Sequence, residues 1–303
     1  MAQDGTSAQL REQLRDQGFV LLPALFSDAD MDALQRKSEA VLEGTSEEHR
    51  ERFRSNGSLC NIAELPEYAA LLSDSRLLEA LRDLGGADIR WTSGYLISKP
   101  PGGAPLFWHQ DWWGWDSPIS YTDSPAQLFV MIYLTDTRID NGCLRVIPGS
   151  HRNAHPLHTL PAAHAKTLAT EVDEQSPAYA SHPDEIPVTV RRGDVVIGDS
   201  RLLHGAYENR SGHERPLLTL WYIPNWRTLP NDVQATLRDI YERKVVDIDD
   251  GEEDLPTCDA WPEAAFSRIR DLIPRVDGNS PPLPWNRIPD TNRMRSTLEA
   301  QCD

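Results

Sequence analysis

The 303-residue chain has only four cysteines, and Cys60, Cys143, Cys258 and Cys302 lie too far apart to form a C-x-x-C pair. That spacing argues against a zinc knuckle or a disulfide frame, and reduced thiols in a cytoplasmic protein are the expectation. No stretch approaches the run of about 18 apolar residues that a membrane span needs. The polar opening MAQDGTSAQLREQLRDQ has no apolar core of the kind a secretory signal carries, so no export is expected. Positive charge is scarce too: 30 Lys and Arg against 47 Asp and Glu leave a net charge of −17. Such a surface repels phosphate backbones, which argues against nucleic acid as a partner. Internal repeats and low-complexity tracts are absent.

What is present reads as a β core wrapped by helices. A chain of this length buries a core without staples. Residues 8–17 form a short amphipathic segment, 18–23 an apolar strand closed by proline, and Ser27-Asp28 a cap for a helix to about residue 42. Residues 66–84 read as helix, with Pro66 at the start and Gly85-Gly86 at the stop. From residue 89 the texture changes to short runs rich in Val, Ile, Leu, Tyr and Trp, at 90–98, 127–134, 142–147, 188–190, 194–199 and 216–223. Turn residues divide them, the pattern of an all-β barrel or sandwich. Residues 151–185 lack periodicity and suggest a lid. Helices are expected at 233–245 and 262–272, followed by a proline-rich tail from Ser280. No linker divides the chain, so residues 1–303 are expected to form one domain with its β core at about 89–226.

The chemistry concentrates in Trp108-His109-Gln110-Asp111. On an extended strand, residues i and i+2 share a face, so His109 and Asp111 present an imidazole and a carboxylate to one point. A second histidine would complete a two-His, one-carboxylate set, which suits non-haem Fe(II) and leaves three positions open. His204 is the candidate, at the end of the run Gly193–Gly205 and beside a glycine that admits close approach. The turn cluster 208–212 then suggests a hairpin that sets Arg215 opposite Ala206, two residues from His204. Two strand residues span about 7 Å, near the reach of a dicarboxylate chelated at one end and held by an arginine fork at the other. That is the spacing a 2-oxoglutarate site needs.

These residues, with Asn141-Gly142-Cys143-Leu144-Arg145-Val146-Ile147-Pro148-Gly149-Ser150-His151, Gly193-Asp194, Asn209 and Lys99-Pro100-Pro101, resemble the phytanoyl-CoA dioxygenase family, in its ectoine-hydroxylase-like branch. The resemblance spans residue 8 to about 226. It implies a double-stranded β-helix, a cupin-like jelly roll flanked by helices. It also implies iron held by His109, Asp111 and His204, with Arg215 on the far carboxylate of 2-oxoglutarate, and O2 as the second cosubstrate. Family precedent points to Tyr95 and Met131 along the cosubstrate site, to a contact within 54–61, and to Trp115 beside the metal. Relatives often carry serine two residues after the distal histidine. Here Ala206 stands there, so Arg215 needs another helper, for which Thr219 and Tyr222 are candidates.

Other readings stay open at this point. Trp112, Trp113 and Trp115 are either packing or a pocket wall; Gln127, Phe129, Met131 and Tyr133 either line the pocket on one strand face or fill the core. His155 is a candidate substrate contact on the lid, and the four histidines between 151 and 164 invite, weakly, a second metal. The acidic run 247–254 reads as a solvated loop. The expected activity is hydroxylation of an unactivated C–H bond in a small metabolite, of secondary-metabolite or amino-acid-like character, releasing succinate and CO2. Asp111 argues against halogenation, which needs a small residue there. The protein is expected to be a monomer or homodimer that meets a small-molecule substrate and neither nucleic acid nor membrane. The alternative is a non-enzymatic cupin-like protein that binds or senses a small carboxylate.

Overall fold

A computed structural model describes residues 6–52, 58–160, 176–243, 245–248, 251–254, 257–275 and 279–295. Two antiparallel sheets face each other. The larger has six strands in the order β1 (Phe19–Leu22), β8 (Val195–Asp199), β5 (Leu128–Tyr133), β10 (Arg215–Ile223), β3 (Arg90–Lys99) and β2 (Leu59–Asn61). The smaller has four, β4 (Leu106–His109), β9 (His204–Ala206), β6 (Leu144–Val146) and β7 (Ile186–Val188). This is the expected all-β core with flanking helices.

The period-2 alternation of β5 explains the layering. Leu128, Val130 and Ile132 point to the helical side, where they meet Leu96, Leu218, Leu220 and Tyr222. Phe129, Met131 and Tyr133 point between the sheets, toward Leu144, Val146 and Val188. All six residues of the strand are buried. Each large apolar side chain removed from water contributes roughly 1.5–3 kcal/mol, so this doubly covered strand anchors the large sheet.

The helices cover its outer face. Helix α1 (Ser7–Gln17) starts at a Thr6–Gln9 capping box and stops at Gly18, whose φ of 85° suits glycine. Helix α2 (Asp28–Glu43) is capped by Ser27 and buries Met31, Leu34 and Leu42. Short α3 (Glu47–Arg52) follows. The helix read over 66–84 is broken into a 3-10 turn at Pro66–Tyr68, α4 (Ala69–Leu72) and α5 (Ser75–Asp83). Asp74 causes the break: its side chain accepts from the Arg76 N–H and starts a new helix. Beyond the core lie α6 (Asn231–Arg243) and α7 (Glu263–Ile269). The acidic run is not a simple loop, since β11 (Val245–Ile248) pairs with β12 (Gly251–Asp254).

The expected hairpin is corrected. β9 pairs with β4 and β6 in the small sheet, whereas β10 pairs with β3 and β5 in the large one. The 208–212 turn therefore crosses between sheets, and Arg215 stands opposite Lys99, not Ala206. Cys60, Cys143 and Cys258 are free thiols, and Cys302 lies outside the described residues. No helix among the described residues is long and apolar enough to cross a membrane.

Candidate active site

His109 ends β4 and stands directly across from His204 at the start of β9. Their rings are 4.1 Å apart between centroids. Asp111 Oδ1 is 3.7 Å from His109 Nε2, and Oδ2 is 3.6 Å from His204 Nε2. All three side chains are buried, at 8%, 9% and 2% exposure in sequence order. The loop after β4 is pinned by the Asp111 and Trp112 N–H groups, which both donate to the Ser200 carbonyl. Gly205 is required by backbone rather than by a ligand: a Cβ there would meet the Leu106 carbonyl at 2.8 Å.

The ring orientations decide what the cluster is fit for. His109 Nδ1 lies 3.0 Å from the Phe107 carbonyl, and His204 Nδ1 lies 3.0 Å from the Leu202 carbonyl. A carbonyl only accepts, so both Nδ1 atoms carry the proton and both Nε2 lone pairs face Asp111. Burial, reinforced by His204, pushes the His109 pKa down to about 3. Two imidazoles with orienting carbonyls and one carboxylate are a donor set suited to a divalent transition metal.

A second set of groups lies deeper between the sheets. Arg215 is 3% exposed, and its Nε and Nη1 have no hydrogen-bond partner. Its guanidinium sits 5.5 Å over the Tyr133 ring. Four residues along the same strand face, Thr219 is 2% exposed with an unpartnered Oγ1. Thr219 pairs with Tyr95 on β3 and with Met131 on β5, so these residues share one wall. Tyr222 points to the opposite face and bonds the Leu72 carbonyl, which removes it as the helper of Arg215. Lys99 gives its ammonium to the Ala104 and Tyr207 carbonyls, and burial pushes its pKa well below the usual value. Among the described residues, no partner engages Nε or Nη1 of the buried Arg215, and a carboxylate fits that fork.

The sequence profile of the phytanoyl-CoA dioxygenase (PhyH) family matches residues 14–217. The chain belongs to the phytanoyl-CoA dioxygenase family. It is similar to phytanoyl-CoA dioxygenase 1 of Oryza sativa subsp. japonica, 31% identical over 161 residues, which cover 50% of this chain and 53% of that protein. The chain thus spans about half the length of that plant relative. It is also similar to the ectoine dioxygenase of Bordetella parapertussis, 27% identical over 247 residues, covering 75% of this chain and 78% of the relative. Among solved structures, the non-heme alpha ketoglutarate dependent carbocyclase SnoK from nogalamycin biosynthesis shares the fold. Its TM-score is 0.53 at 20% identity, covering 91% of this chain and 96% of that one.

Other candidates read from the sequence have defined places in this phytanoyl-CoA dioxygenase family member. Trp113 and Trp115, 2% and 1% exposed, pack with Trp112, Trp226 and Leu237 in a separate apolar cluster. Trp113 stacks on Trp285 of the C-terminal segment at 4.9 Å and 9°. These tryptophans pack against the C-terminal segment. Gln127 is buried just before β5, and its amide reaches Thr92 Oγ1 at 3.4 Å. His155 lies behind the small sheet. Its neighbour Leu157 packs on Trp108 and Leu203, whose side chains alternate with His109 and His204 and so face away from them. His155 keeps company with His182 and Asp184 rather than with His109, Asp111 and His204.

His155, His182 and Asp184 form a second cluster with metal-ligand spacing. Its tautomers differ from those of the first. His155 Nδ1 accepts from the Leu157 N–H and His182 Nδ1 from the Asp184 N–H. Each Nε2 therefore carries the proton, which suits hydrogen bonding and not metal ligation. Of the expected lid, only 151–160 and 176–185 are described; of the expected 54–61 contact, only 58–61.

Tyr133, one of the strand-face candidates read from the sequence, underlies Arg215. Two residues were not read from the sequence as parts of this site. Trp221 donates its indole N–H to Asp111 Oδ2 at 2.8 Å. Arg287 reaches back from the tail, its Nη1 donating to the Gln110 and Asp111 carbonyls at 3.1 and 2.9 Å. Trp221 and Arg287 both lie beyond the family match, and no motif marks them. The alternation along 216–223 was the one available signal for Trp221.

Proposed function

We propose that the protein is an Fe(II)- and 2-oxoglutarate-dependent oxygenase that hydroxylates an unactivated C–H bond of a small metabolite, with release of succinate and CO2. One observation carries the reading: a buried pair of imidazoles and a carboxylate shares an interior with an arginine that has no anion among the described residues. On this reading His109, Asp111 and His204 hold the metal. Arg215 takes the far carboxylate of 2-oxoglutarate in its fork, and Thr219 adds a hydroxyl that replaces the serine missing at Ala206. Tyr95, Met131 and Tyr133 wall the chain of the cosubstrate. The bound iron, with 2-oxoglutarate and O2, supplies the oxidising power for attack on the C–H bond. The chain's own contribution is to fix three ligands, exclude bulk water and hold the dicarboxylate at its far end. The net charge of −17 supports a partner that is a small molecule rather than nucleic acid. The same reading makes the protein a cytoplasmic monomer or homodimer, with the C-terminal segment part of its single catalytic unit.

The test is succinate formation from 2-oxoglutarate after anaerobic loading with Fe(II) and exposure to O2. Wild type should give iron-dependent succinate, His109→Ala none, and Arg215→Ala a strongly weakened dependence on 2-oxoglutarate. Absence of both succinate and Fe(II)-dependent 2-oxoglutarate binding in wild type would overturn the oxygenase and favour a small-carboxylate binding protein.

A further inference from the structure

Asp111 stands between two imidazoles in a nearly symmetric way, with one oxygen 3.7 Å from His109 Nε2 and the other 3.6 Å from His204 Nε2. A carboxylate so placed has two ways to meet a metal, through one oxygen or through both. The difference matters in a site that must also take a chelating cosubstrate and O2. Three protein donor atoms leave three positions of an octahedron; a fourth leaves two.

The symmetry is broken by Trp221. Its Nε1–H donates to Asp111 Oδ2 at 2.8 Å and engages that oxygen alone. Other indole donors go elsewhere: Trp108, Trp226 and Trp261 to carbonyls, and Trp112 to a serine hydroxyl. Among the described residues, Trp221 alone gives its N–H to a carboxylate. Strand alternation aims it: Trp221 follows Arg215, Leu217 and Thr219 along one face of β10, in unbroken register with Phe129 on β5. Tyr95 then meets the indole edge-on at 5.9 Å and limits its swing. From the other side, Arg287 holds the Asp111 carbonyl.

We propose that Trp221 is a positioning residue that keeps Asp111 a one-oxygen ligand, through Oδ1, so that three coordination positions stay open. The inference rests on the oxygenase reading above. Outer-shell partners of metal ligands typically change metal affinity or activity 10- to 100-fold when removed.

The test uses Co(II), whose visible absorption reports coordination number and geometry. Wild type is compared with Trp221→Phe and with the chain carrying β-(3-benzothienyl)alanine at position 221, where sulfur replaces the indole N–H and the shape is kept. The analogue keeps the test decisive if Trp221→Phe does not fold. The expected result, in either altered protein, is a changed Co(II) spectrum with affinity weakened roughly 10- to 100-fold. The KM for 2-oxoglutarate should rise as well, since the carboxylate now competes for its positions. An unchanged spectrum overturns the inference, even with weaker binding, because packing alone would then account for Trp221. Wild type that binds neither Co(II) nor Fe(II) overturns the oxygenase reading and this inference with it. Wild type that binds metal and 2-oxoglutarate beside an altered protein of identical spectrum overturns only the role of Trp221.

Discussion

Thr219 stands directly between Tyr95 and Met131 across the three central strands, four residues from Arg215 on the same strand face. Both Thr219 and Arg215 bury polar atoms without a protein partner. A buried group left so costs about 1–3 kcal/mol, which a bound carboxylate would recover. Thr219→Val keeps the shape and removes the hydroxyl. It should raise the KM for 2-oxoglutarate about tenfold, the equivalent of 1.4 kcal/mol, and change kcat little. Arg215→Lys keeps the charge but loses the fork, and should raise the KM about 100-fold. Initial rates of succinate release against 2-oxoglutarate concentration measure both. An unchanged KM in Thr219→Val would place the second contact on another residue.

The C-terminal segment is expected to act on the metal loop rather than merely cover it. Asn286 forms a parallel bridge with Gly114, its N–H donates to the Trp113 carbonyl, and its carbonyl accepts from the Trp115 N–H. Arg287 follows, seated 5.1 Å over the Trp285 ring and bonded to the carbonyls of Gln110 and Asp111. Arg287→Ala should weaken Fe(II) binding about tenfold, with a small change in melting temperature. Trp285→Ala should do the reverse: it loses the stack on Trp113, worth about 1 kcal/mol, with less effect on the metal. Anaerobic Fe(II) titration beside thermal melts separates the two. Equal effects of both substitutions on both readouts would reduce the segment to a generic cover.

The proposed metal ligands were legible because their chemistry is local. His109 and Asp111 are two residues apart on extended chain, and the motif names them without tertiary information. Arg215 was also legible, although the hairpin offered as its geometric reason was wrong. β9 and β10 are neighbours in sequence and belong to different sheets, and no local turn signal distinguishes a hairpin from a crossing between sheets. The packing of the tryptophans was not legible. Trp113 and Trp115 sit just after a ligand motif, yet their partners Trp285 and Trp226 come from more than 100 residues away. Gly198 is a further case. It lies within a strand run, and a Cβ there would collide with the Phe129 ring, which in turn packs 5.0 Å from the His204 ring. Such contacts depend on sheet register, which alternation alone leaves open.

His151, of the Pro-Gly-Ser-His turn, gives the fold a defined sensitivity to acid. It is 1% exposed, and its Nε2–H donates to the Arg15 carbonyl at 3.0 Å. Its Nδ1 is buried and unpartnered. Burial pushes its pKa down to about 4 from the ordinary 6.5, with Arg201 and Arg152 adding to the shift and Asp199 opposing it. The folded protein therefore keeps the ring neutral at a pH where the unfolded chain takes up a proton. Stability is full above about pH 6.5 and falls as the pH drops toward 4. Each pH unit within that window costs about 1.4 kcal/mol for one such group. His158, held down to about 3 by burial and by His155, steepens the same slope. His151→Gln retains a donor for the Arg15 carbonyl and removes the titration. It should lower stability at pH 7.5 through imperfect packing, yet lose less than wild type between pH 6.5 and 4.5. Urea unfolding at those three pH values gives the slopes, and parallel slopes for the two proteins would assign the acid sensitivity to other groups.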